Sequence, residues 1–239
     1  MCMENRVIIL IISIIWSLSW SDANGQSLTD YLAECERKYG SDSDLVNGEK
    51  YFYPFSHSDG NPFFYSEAQQ TDIRIKEKNF EGETIRYDIY SQLLILDYKD
   101  VYGGITSLVL RNEWVESFSF NSLIFKSITG PEGDFNFFQV IIDSTVSCYY
   151  RWSKKYQLNL NSGVQSYYFT DPQREAFLFM NDHFHPFRNN KTFLRAFEEK
   201  QRKAIKQFMR QAKINLKKIS DMQMRHLIEF CNSLPDEAS

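Results

Sequence analysis

Residues 71–187 repeat one pattern, in which short apolar or alternating segments are separated by turn-forming residues. Segments of this length that are rich in aromatic and β-branched residues indicate strands, and Gly, Asn, Asp and Ser between them indicate tight turns. So many consecutive antiparallel strands cannot form a flat sheet, so we expect a barrel, a half-barrel or a two-layer sheet. The eleven candidate strands are Ile73–Lys78, Thr84–Tyr90, Leu93–Tyr98, Ile105–Leu110, Trp114–Phe120, Leu123–Ser127, Asn136–Ile142, Ser147–Lys155, Ser166–Thr170, Glu175–Met180 and His183–Phe187.

The stretch Phe80–Tyr98 (FEGETIRYDIYSQLLILDY) is predicted to be an early hairpin that sets the register of this sheet. Glu81-Gly82 is interpreted as a tight turn, because glycine tolerates a positive φ. The run Leu93–Leu96 lacks alternation, as expected of a strand that is covered on both faces. Alternation in the preceding strand predicts one face with Ile85, Tyr87 and Ile89 and the opposite face with Arg86, Asp88 and Tyr90. Arg86 and Asp88 therefore share a face, and we interpret both, like Tyr87, Tyr90 and Tyr98, as strand-face partners of neighbouring strands.

The N-terminus has the pattern of a signal peptide. Residues 7–20 are uncharged and mostly apolar, and small and polar residues follow them. As a helix they would be about 21 Å long, which is short of the ~30 Å hydrocarbon core of a bilayer. We therefore predict a signal peptide at residues 1–25, cleavage before Gln26 and an exported protein that is periplasmic, at the cell surface or secreted. The alternative is an uncleaved membrane anchor.

Helices are predicted at both ends of the remaining chain. Leu28–Tyr39 has apolar residues at helical spacing, and Thr192–Phe197, Glu199–Ala212 and Ser220–Ser233 follow the last strand. Their apolar stripes need a surface to cover, and the sheet supplies one. We therefore expect one α+β domain, a curved antiparallel β-meander, with a β-rich part at residues 26–190 and a basic helical region at residues 191–239 that packs on it.

The helical region carries the strongest charge asymmetry of the chain. Residues 191–218 hold ten Lys and Arg against two Glu, in a chain whose net charge is −4. Such a surface suits an anion or an anionic membrane surface, while export argues against nucleic acid. The alternative is a solvated helix face opposite the acidic remainder of the chain. The candidate contact residues are Lys200, Lys203, Lys206, Arg210 and Lys213.

Histidines give only a weak indication of a metal site. His183 and His185 would share one face of a strand, but metal sites need three or four ligands, so no metal or cofactor is predicted. His57 and Asp59 lie in a Ser-Asp-Gly-Asn-Pro segment that is typical of a turn. The motifs GxSxG, HExxH and CxxC and a phosphate-binding glycine loop are all missing from the sequence. No catalytic residue is therefore assigned.

Three cysteines would remain after cleavage: Cys35, Cys148 and Cys231. Their odd number allows one disulfide with a leftover thiol, or three buried thiols. A catalytic thiol needs a neighbouring base, and the local sequence supplies none.

Four segments carry a resemblance to a group of proteins. The runs YFYPFSHSDGNPFF, NFEGETIRYDIYSQLLIL, VESFSFNSLIF and IEFCNSL resemble exported β-rich proteins of Bacteroidota-type bacteria. The resemblance covers most of the mature chain, implies a periplasmic or surface location and assigns no catalytic residue. In outline, a long antiparallel sheet with helices is also similar to half-barrel carriers of lipids or lipoproteins, which is an analogy of fold alone.

Aromatic residues make up 16% of the chain, and they favour a binding role. We expect a non-enzymatic exported binding or assembly protein whose concave sheet holds a small apolar ligand or a segment of an envelope protein. Two alternatives remain open: a cell-envelope hydrolase built on the histidines, and a structural component of a surface complex.

Overall fold

The computed structural model describes residues 42–46, 48–55, 57–99, 103–159 and 166–235, all within the compact unit Asp42–Ser239. The predicted signal peptide, its cleavage site, the helix Leu28–Tyr39 and Cys35 lie outside these ranges. None of the helices in the described ranges is long and apolar enough to cross a bilayer.

The described chain is dominated by two sheets. The larger has eleven strands, all paired antiparallel, and the smaller has three. The strands are β1 (Glu49–Lys50), β2 (Ser58–Asp59), β3 (Gln69–Ile75), β4 (Lys78–Asp88), β5 (Leu93–Lys99), β6 (Ile105–Leu110), β7 (Val115–Phe120), β8 (Leu123–Thr129), β9 (Phe135–Ile142), β10 (Ser147–Ser153), β11 (Tyr156–Asn159), β12 (Ser166–Phe169), β13 (Gln173–Met180) and β14 (His183–Phe187).

The large sheet is open, in the order β1-β6-β5-β4-β3-β7-β8-β9-β10-β13-β14. It consists of two meanders, β3–β6 and β7–β10, which are joined because β3 pairs with β7. The strands therefore do not follow sequence order throughout the sheet. In a flat sheet β6 and β7 would lie about 19 Å apart. Residues 111–114 join them through a turn in which the Trp114 N–H donates to the Arg111 carbonyl at 2.9 Å, and so short a link requires the sheet to curl. The expected α+β curved antiparallel meander is confirmed, as an open sheet rather than a closed barrel.

The turn predicted at Glu81-Gly82 is wrong. The chain reverses at Lys76 and Glu77, whose φ angles are 46° and 66°, and β4 runs through Gly82. Gly82 has a φ of 69° and forms a bulge opposite Asp72, whose carboxylate accepts the Gly82 N–H at 3.1 Å. Gly82 therefore has the positive φ that was inferred for it, but in a bulge and not in a turn. The turn at Lys76 and Glu77 lacks the Gly, Asn or Asp residues that are typical of tight turns.

One apolar cluster fills the inside of the curl formed by β3–β9. The predicted inward face of β4 is confirmed, because Ile85, Tyr87 and Ile89 are all buried in this cluster. Four phenylalanine rings join them, and two of these, on Phe118 and Phe125, are stacked with centroids 4.9 Å apart. The protein's own side chains thus occupy this face. The phenylalanines are Phe118, Phe120, Phe125 and Phe137.

Three helices follow β14 in the described chain: α1 (Asn190–Arg195), α2 (Glu199–Gln211) and α3 (Asp221–Asn232). A capping box begins α3, since the Gln223 N–H donates to the Ser220 hydroxyl and the Ser220 N–H donates to the Gln223 side chain, both at 3.2 Å. The helices pack on β9, β10 and β14, with Leu227 and Ile228 of α3 fully buried. The C-terminal helices therefore cover the second half of the sheet.

Polar contacts anchor α3 at both ends. Near its start, the Asp221 carboxylate accepts from Gln139 at 2.6 Å and from Arg174 at 3.1 Å. At its end, the Asn232 side chain accepts the Val146 N–H at 2.7 Å and donates to the Val146 carbonyl at 3.0 Å. These contacts fix how the helix lies over β9 and β10.

Candidate functional site

The five predicted anion contacts lie together on an exposed surface. Lys200, Lys203, Lys206 and Arg210 occupy α2, and Lys213 follows the helix. The Lys203 ammonium lies 3.8 Å from the Glu199 carboxylate, and both side chains are more than 80% exposed. An exposed pair of this kind contributes little to stability, because water and salt screen it. The structure assigns no ligand to this surface, so its anion-binding role stays a prediction.

The four histidines lie in three separate parts of the fold. His57 lies just before β2, His183 and His185 lie on β14, and His226 lies on α3, where its ring is 3.8 Å from Glu229. His183 contacts the Asn181 carbonyl at 2.6 Å. Within the described ranges, no group of three His, Cys, Asp or Glu residues could hold a metal ion.

Cys148 and Cys231 are both buried and free. Burial raises the pKa of the Cys231 thiol to about 12, and it raises that of Cys148 further. Both thiols therefore remain protonated at neutral pH, and they pack as small apolar side chains in the core beneath α3.

The end of the sheet formed by β1, the β4–β5 turn and the β6–β7 turn contains a cleft of about 670 Å³, which we call the Asp88 cleft. Exposed rings stand in its wall: Phe52 is 74% exposed and Phe135 is 47% exposed. Pro54, Leu93 and Leu110 add apolar surface to the wall. The cleft thus combines apolar surface with the polar groups of the neighbouring turns.

Three residues of this wall each have a buried polar side-chain atom without a hydrogen-bond partner: the Tyr51 hydroxyl, one carboxylate oxygen of Asp88 and the side-chain oxygen of Asn112. They are three of the five such atoms found among the described residues. Each buried polar atom without a partner costs roughly 1–3 kcal/mol, so native proteins rarely keep them without a reason. Their concentration in one wall marks the Asp88 cleft as the candidate functional site.

Backbone hydrogen bonds hold Asp88 in this position. One oxygen of its carboxylate accepts the N–H groups of Tyr90 and Ser91 at 2.9 and 2.8 Å, which closes the β4–β5 turn. The side chain is 1% exposed, and burial raises the pKa of the carboxyl group, although those two backbone N–H groups partly offset the rise. The second oxygen remains without a partner.

Arg86 pairs across the sheet, as expected of a strand-face residue, and not with Asp88 on its own strand. The Arg86 guanidinium donates to Asp97 on β5 at 2.7 Å and to the Ser107 hydroxyl on β6 at 3.2 Å. Asp97 is the closer partner because β4 and β5 are adjacent, and Arg86 is aligned with Ile95, two residues from Asp97. The Asp88 carboxylate therefore makes no ion pair with Arg86; it accepts hydrogen bonds from the β4–β5 turn and lines the cleft.

We expect Asp88→Asn to raise stability at neutral pH. The folded pKa of Asp88 lies above its unfolded value of ~3.9, so its contribution to stability is fully present below that value and is lost as pH rises through the folded pKa. The asparagine keeps an acceptor for the turn and does not titrate. The gain in unfolding free energy over wild type should therefore grow from pH 4 to pH 7 and reach about 1 kcal/mol, as measured by urea denaturation.

Asp143→Asn is the matched control and should have the opposite sign. Lys126, at 2.6 Å, lowers the pKa of Asp143, so this carboxylate stabilises the fold above its unfolded pKa and the benefit is lost as pH falls. The asparagine variant should be less stable than wild type at pH 7 and should match it at low pH. A gain for Asp88→Asn that does not change with pH would contradict the role of the buried carboxylate.

Comparison with known proteins finds no matching family model, no matching curated protein and no matching solved structure. Function is therefore inferred from the geometry of the Asp88 cleft. None of the three cleft residues with an unpartnered atom was among the site residues predicted from the sequence. The available signal was an aspartate at a strand end directly before a turn, which is typical of a side chain that caps its own turn.

Proposed function

We propose that this protein is an exported, non-enzymatic binding or assembly protein that holds a short apolar segment of a partner protein in the Asp88 cleft. The observation that carries the proposal is the coincidence, in one cleft, of exposed aromatic rings with buried polar atoms that have no partner. A binding pocket combines mostly apolar walls with a few polar groups that fix the orientation of the ligand.

The chemistry of the unpartnered atoms favours a peptide over a hydrocarbon ligand. An ionised Asp88 carboxylate only accepts hydrogen bonds, and so does the side-chain oxygen of Asn112. The amide nitrogen of Asn112 donates to the Gln92 carbonyl at 2.9 Å, which fixes the orientation of that amide. A ligand that satisfies these acceptors must bring N–H or O–H donors, and an extended peptide supplies N–H groups at regular intervals. An acyl chain supplies none.

The position of the cleft at a sheet edge also suits an extended segment. β1 pairs with β6 on one side, and no described strand pairs with it on the other side. Tyr51 continues this pairing, since its N–H donates to the Ser107 carbonyl at 2.8 Å, and Phe52 is exposed beside it. An extended partner segment can bind such an edge through its backbone and place alternate side chains against the wall.

Export and the absence of catalysis are parts of the same proposal. Export rests on the apolar stretch at residues 7–20 and the small residues that follow it. The non-enzymatic role is supported by the distribution of the histidines over three described parts of the chain and by the burial of the two described thiols. A nucleophile needs a base within hydrogen-bond reach.

The test is selection of random eight-residue peptides displayed on phage against the purified protein, followed by calorimetric titration of the enriched peptides. We expect binders with apolar or aromatic residues. Phe52→Ala and Asp88→Asn should each weaken binding by roughly tenfold or more, because they remove an apolar contact and a hydrogen-bond acceptor respectively. Ile124→Ala is the matched control, since Ile124 is an apolar side chain on β8 that is 52% exposed and does not line the cleft.

Three results would count against the proposal. If selection on wild type enriches no more peptides than selection on the Asp88→Asn variant, the Asp88 cleft is not the binding site. Binding of the fluorescent fatty acid cis-parinaric acid that is lost in the same two variants would indicate an apolar small ligand instead. Cleavage of the enriched peptides by wild type but not by Asp88→Asn would indicate a hydrolase.

A further inference from the structure

A second cleft of about 670 Å³ lies at the outer edge of β13, and we call it the Arg174 cleft. β14 pairs only with Ala176–Met180, so Gln173–Glu175 have no described strand on their outer side. The link between α2 and α3 contributes the buried side chains of Leu216 and Ile219 to the wall. The cleft is distinct from the Asp88 cleft and shares no lining residue with it.

Positive charge dominates the wall of this cleft. Five cationic side chains line it against the two carboxylates Glu132 and Glu175. Counting Asp221, which pairs with Arg174 at 3.1 Å, the local excess is two positive charges. A cavity of this volume is on the order of 10 Å across, about one Debye length at physiological salt, so the charges act on a bound ion together. The cations are Arg151, Lys155, Arg174, Arg188 and Lys217.

Two of the cations are committed to the fold, and three are available. Arg151 binds Glu175 through two nitrogens, at 3.2 and 2.7 Å, and Arg174 donates to Asp221 and to the Ile219 carbonyl. Arg188 is 87% exposed, and its ion pair with Glu175 is long, with 3.9 Å between the guanidinium nitrogen and the carboxylate oxygen. The remaining two, Lys155 and Lys217, take part in no ion pair with another described residue.

A buried donor lies beside these cations. Tyr150 is 1% exposed and lines the cleft, and its hydroxyl has no hydrogen-bond partner. The Arg174 guanidinium lies 4.5 Å from the centre of its ring. Burial raises the pKa of Tyr150, so the hydroxyl stays protonated and can donate to an anion. An unpartnered hydroxyl on a residue that lines a cleft with an excess of positive charge is suited to an anionic oxygen.

We propose that the Arg174 cleft binds the phosphate group of a phosphate-bearing ligand, with Lys155, Lys217 and Arg188 balancing its charge and Tyr150 donating to one of its oxygens. A phosphate monoester carries a charge of about −1.5 to −2 near pH 7, which matches the local excess of two positive charges. A carboxylate would balance only half of that excess. The site differs from the predicted anion surface on α2, whose five basic residues do not line the cleft.

The test measures thermal unfolding of the whole protein in 20 mM sodium phosphate and in sodium chloride of equal ionic strength. Phosphate should raise the melting temperature by about 2–4 °C, since it binds the folded state alone. The double variant Lys155→Gln with Lys217→Gln should lose most of this rise. Tyr150→Phe should reduce the rise without lowering stability in chloride, because the lost hydroxyl makes no hydrogen bond within the described protein.

The matched control is the double variant Lys203→Gln with Lys206→Gln, which removes the same charge from the exposed surface of α2. It should keep the full phosphate effect. If this control loses the rise as completely as the cleft variant does, the effect comes from net charge and the proposal is overturned.

Vesicle sedimentation separates a lipid headgroup from a free phosphate compound. Vesicles of phosphatidylcholine with 20% phosphatidic acid are compared with vesicles of phosphatidylcholine alone. Binding to the phosphatidic acid vesicles that is lost in the Lys155→Gln, Lys217→Gln variant supports a lipid source, and a phosphate effect without such binding supports a free compound. The absence of both effects in wild type overturns the proposal.

Discussion

Phe118→Ala is expected to lower the free energy of unfolding by about 3–5 kcal/mol, because it leaves a cavity at the centre of the curled sheet. Phe118 is 2% exposed, and its ring stacks on that of Phe125. The rings of Tyr87, Phe120 and Phe137 meet it edge to face, with centroids 5.2–5.6 Å away. These neighbours come from four different strands and cannot all move inward. Urea denaturation of both proteins gives the difference directly.

Phe52→Ala provides the matched control, since it removes the same ring from a position that is 74% exposed. It should change stability by no more than about 0.5 kcal/mol. Under the proposed function, it should nevertheless weaken peptide binding. A loss below about 1 kcal/mol for Phe118→Ala would mean that this core can repack, in which case the curl does not depend on the stacked rings.

Leu227→Ala is expected to cost about 2–5 kcal/mol, because it removes a buried side chain from the core between α3 and the sheet. Leu227 is fully buried in a cluster that includes Cys148 and Leu178 from the sheet and Ile205 from α2. The polar anchors at Asp221 and Asn232 hold the helix in place, so the cavity cannot easily collapse. The measurement is again the midpoint and slope of urea denaturation.

Met222→Ala is the control on the same helix, since Met222 is 79% exposed. Both changes shorten an apolar side chain on α3, so helix propensity affects them similarly. Met222→Ala should stay within about 0.5 kcal/mol of wild type. Similar losses for both variants would indicate that the stability of α3 comes from its own sequence rather than from its packing on the sheet.

The sequence predicted most strand positions because burial leaves a local pattern. Leu93–Leu96 lacks alternation and was expected to be covered on both faces, and Leu94, Ile95 and Leu96 are all fully buried. Asn181 and Asp182, which are typical turn residues, form the turn between β13 and β14 with positive φ angles of 50° and 59°. Lys76 and Glu77 adopt the same kind of turn without its usual residues, so the turn between β3 and β4 was misplaced.

The candidate site was less accessible from the sequence. The sequence patterns indicate no site at Tyr51, Asp88 or Asn112, and Asp88 is expected only to be a strand-face partner. Their shared property is the lack of a hydrogen-bond partner when buried, and that property exists only once β1 and the two turns meet. The five cations of the Arg174 cleft are likewise spread over residues 151–217 and form no local motif.

The sequence by itself determined most of the elements: alternation indicated the faces of the strands, and the apolar stripe indicated α3. These features depend on neighbours within a few residues, and for that reason they can be read locally. Only the tertiary structure decided that β3 pairs with β7, that the sheet curls without closing, and that unpartnered polar atoms collect in the Asp88 and Arg174 clefts. Strand order and burial depend on contacts between distant parts of the chain, whose energies leave no periodic signal in the sequence.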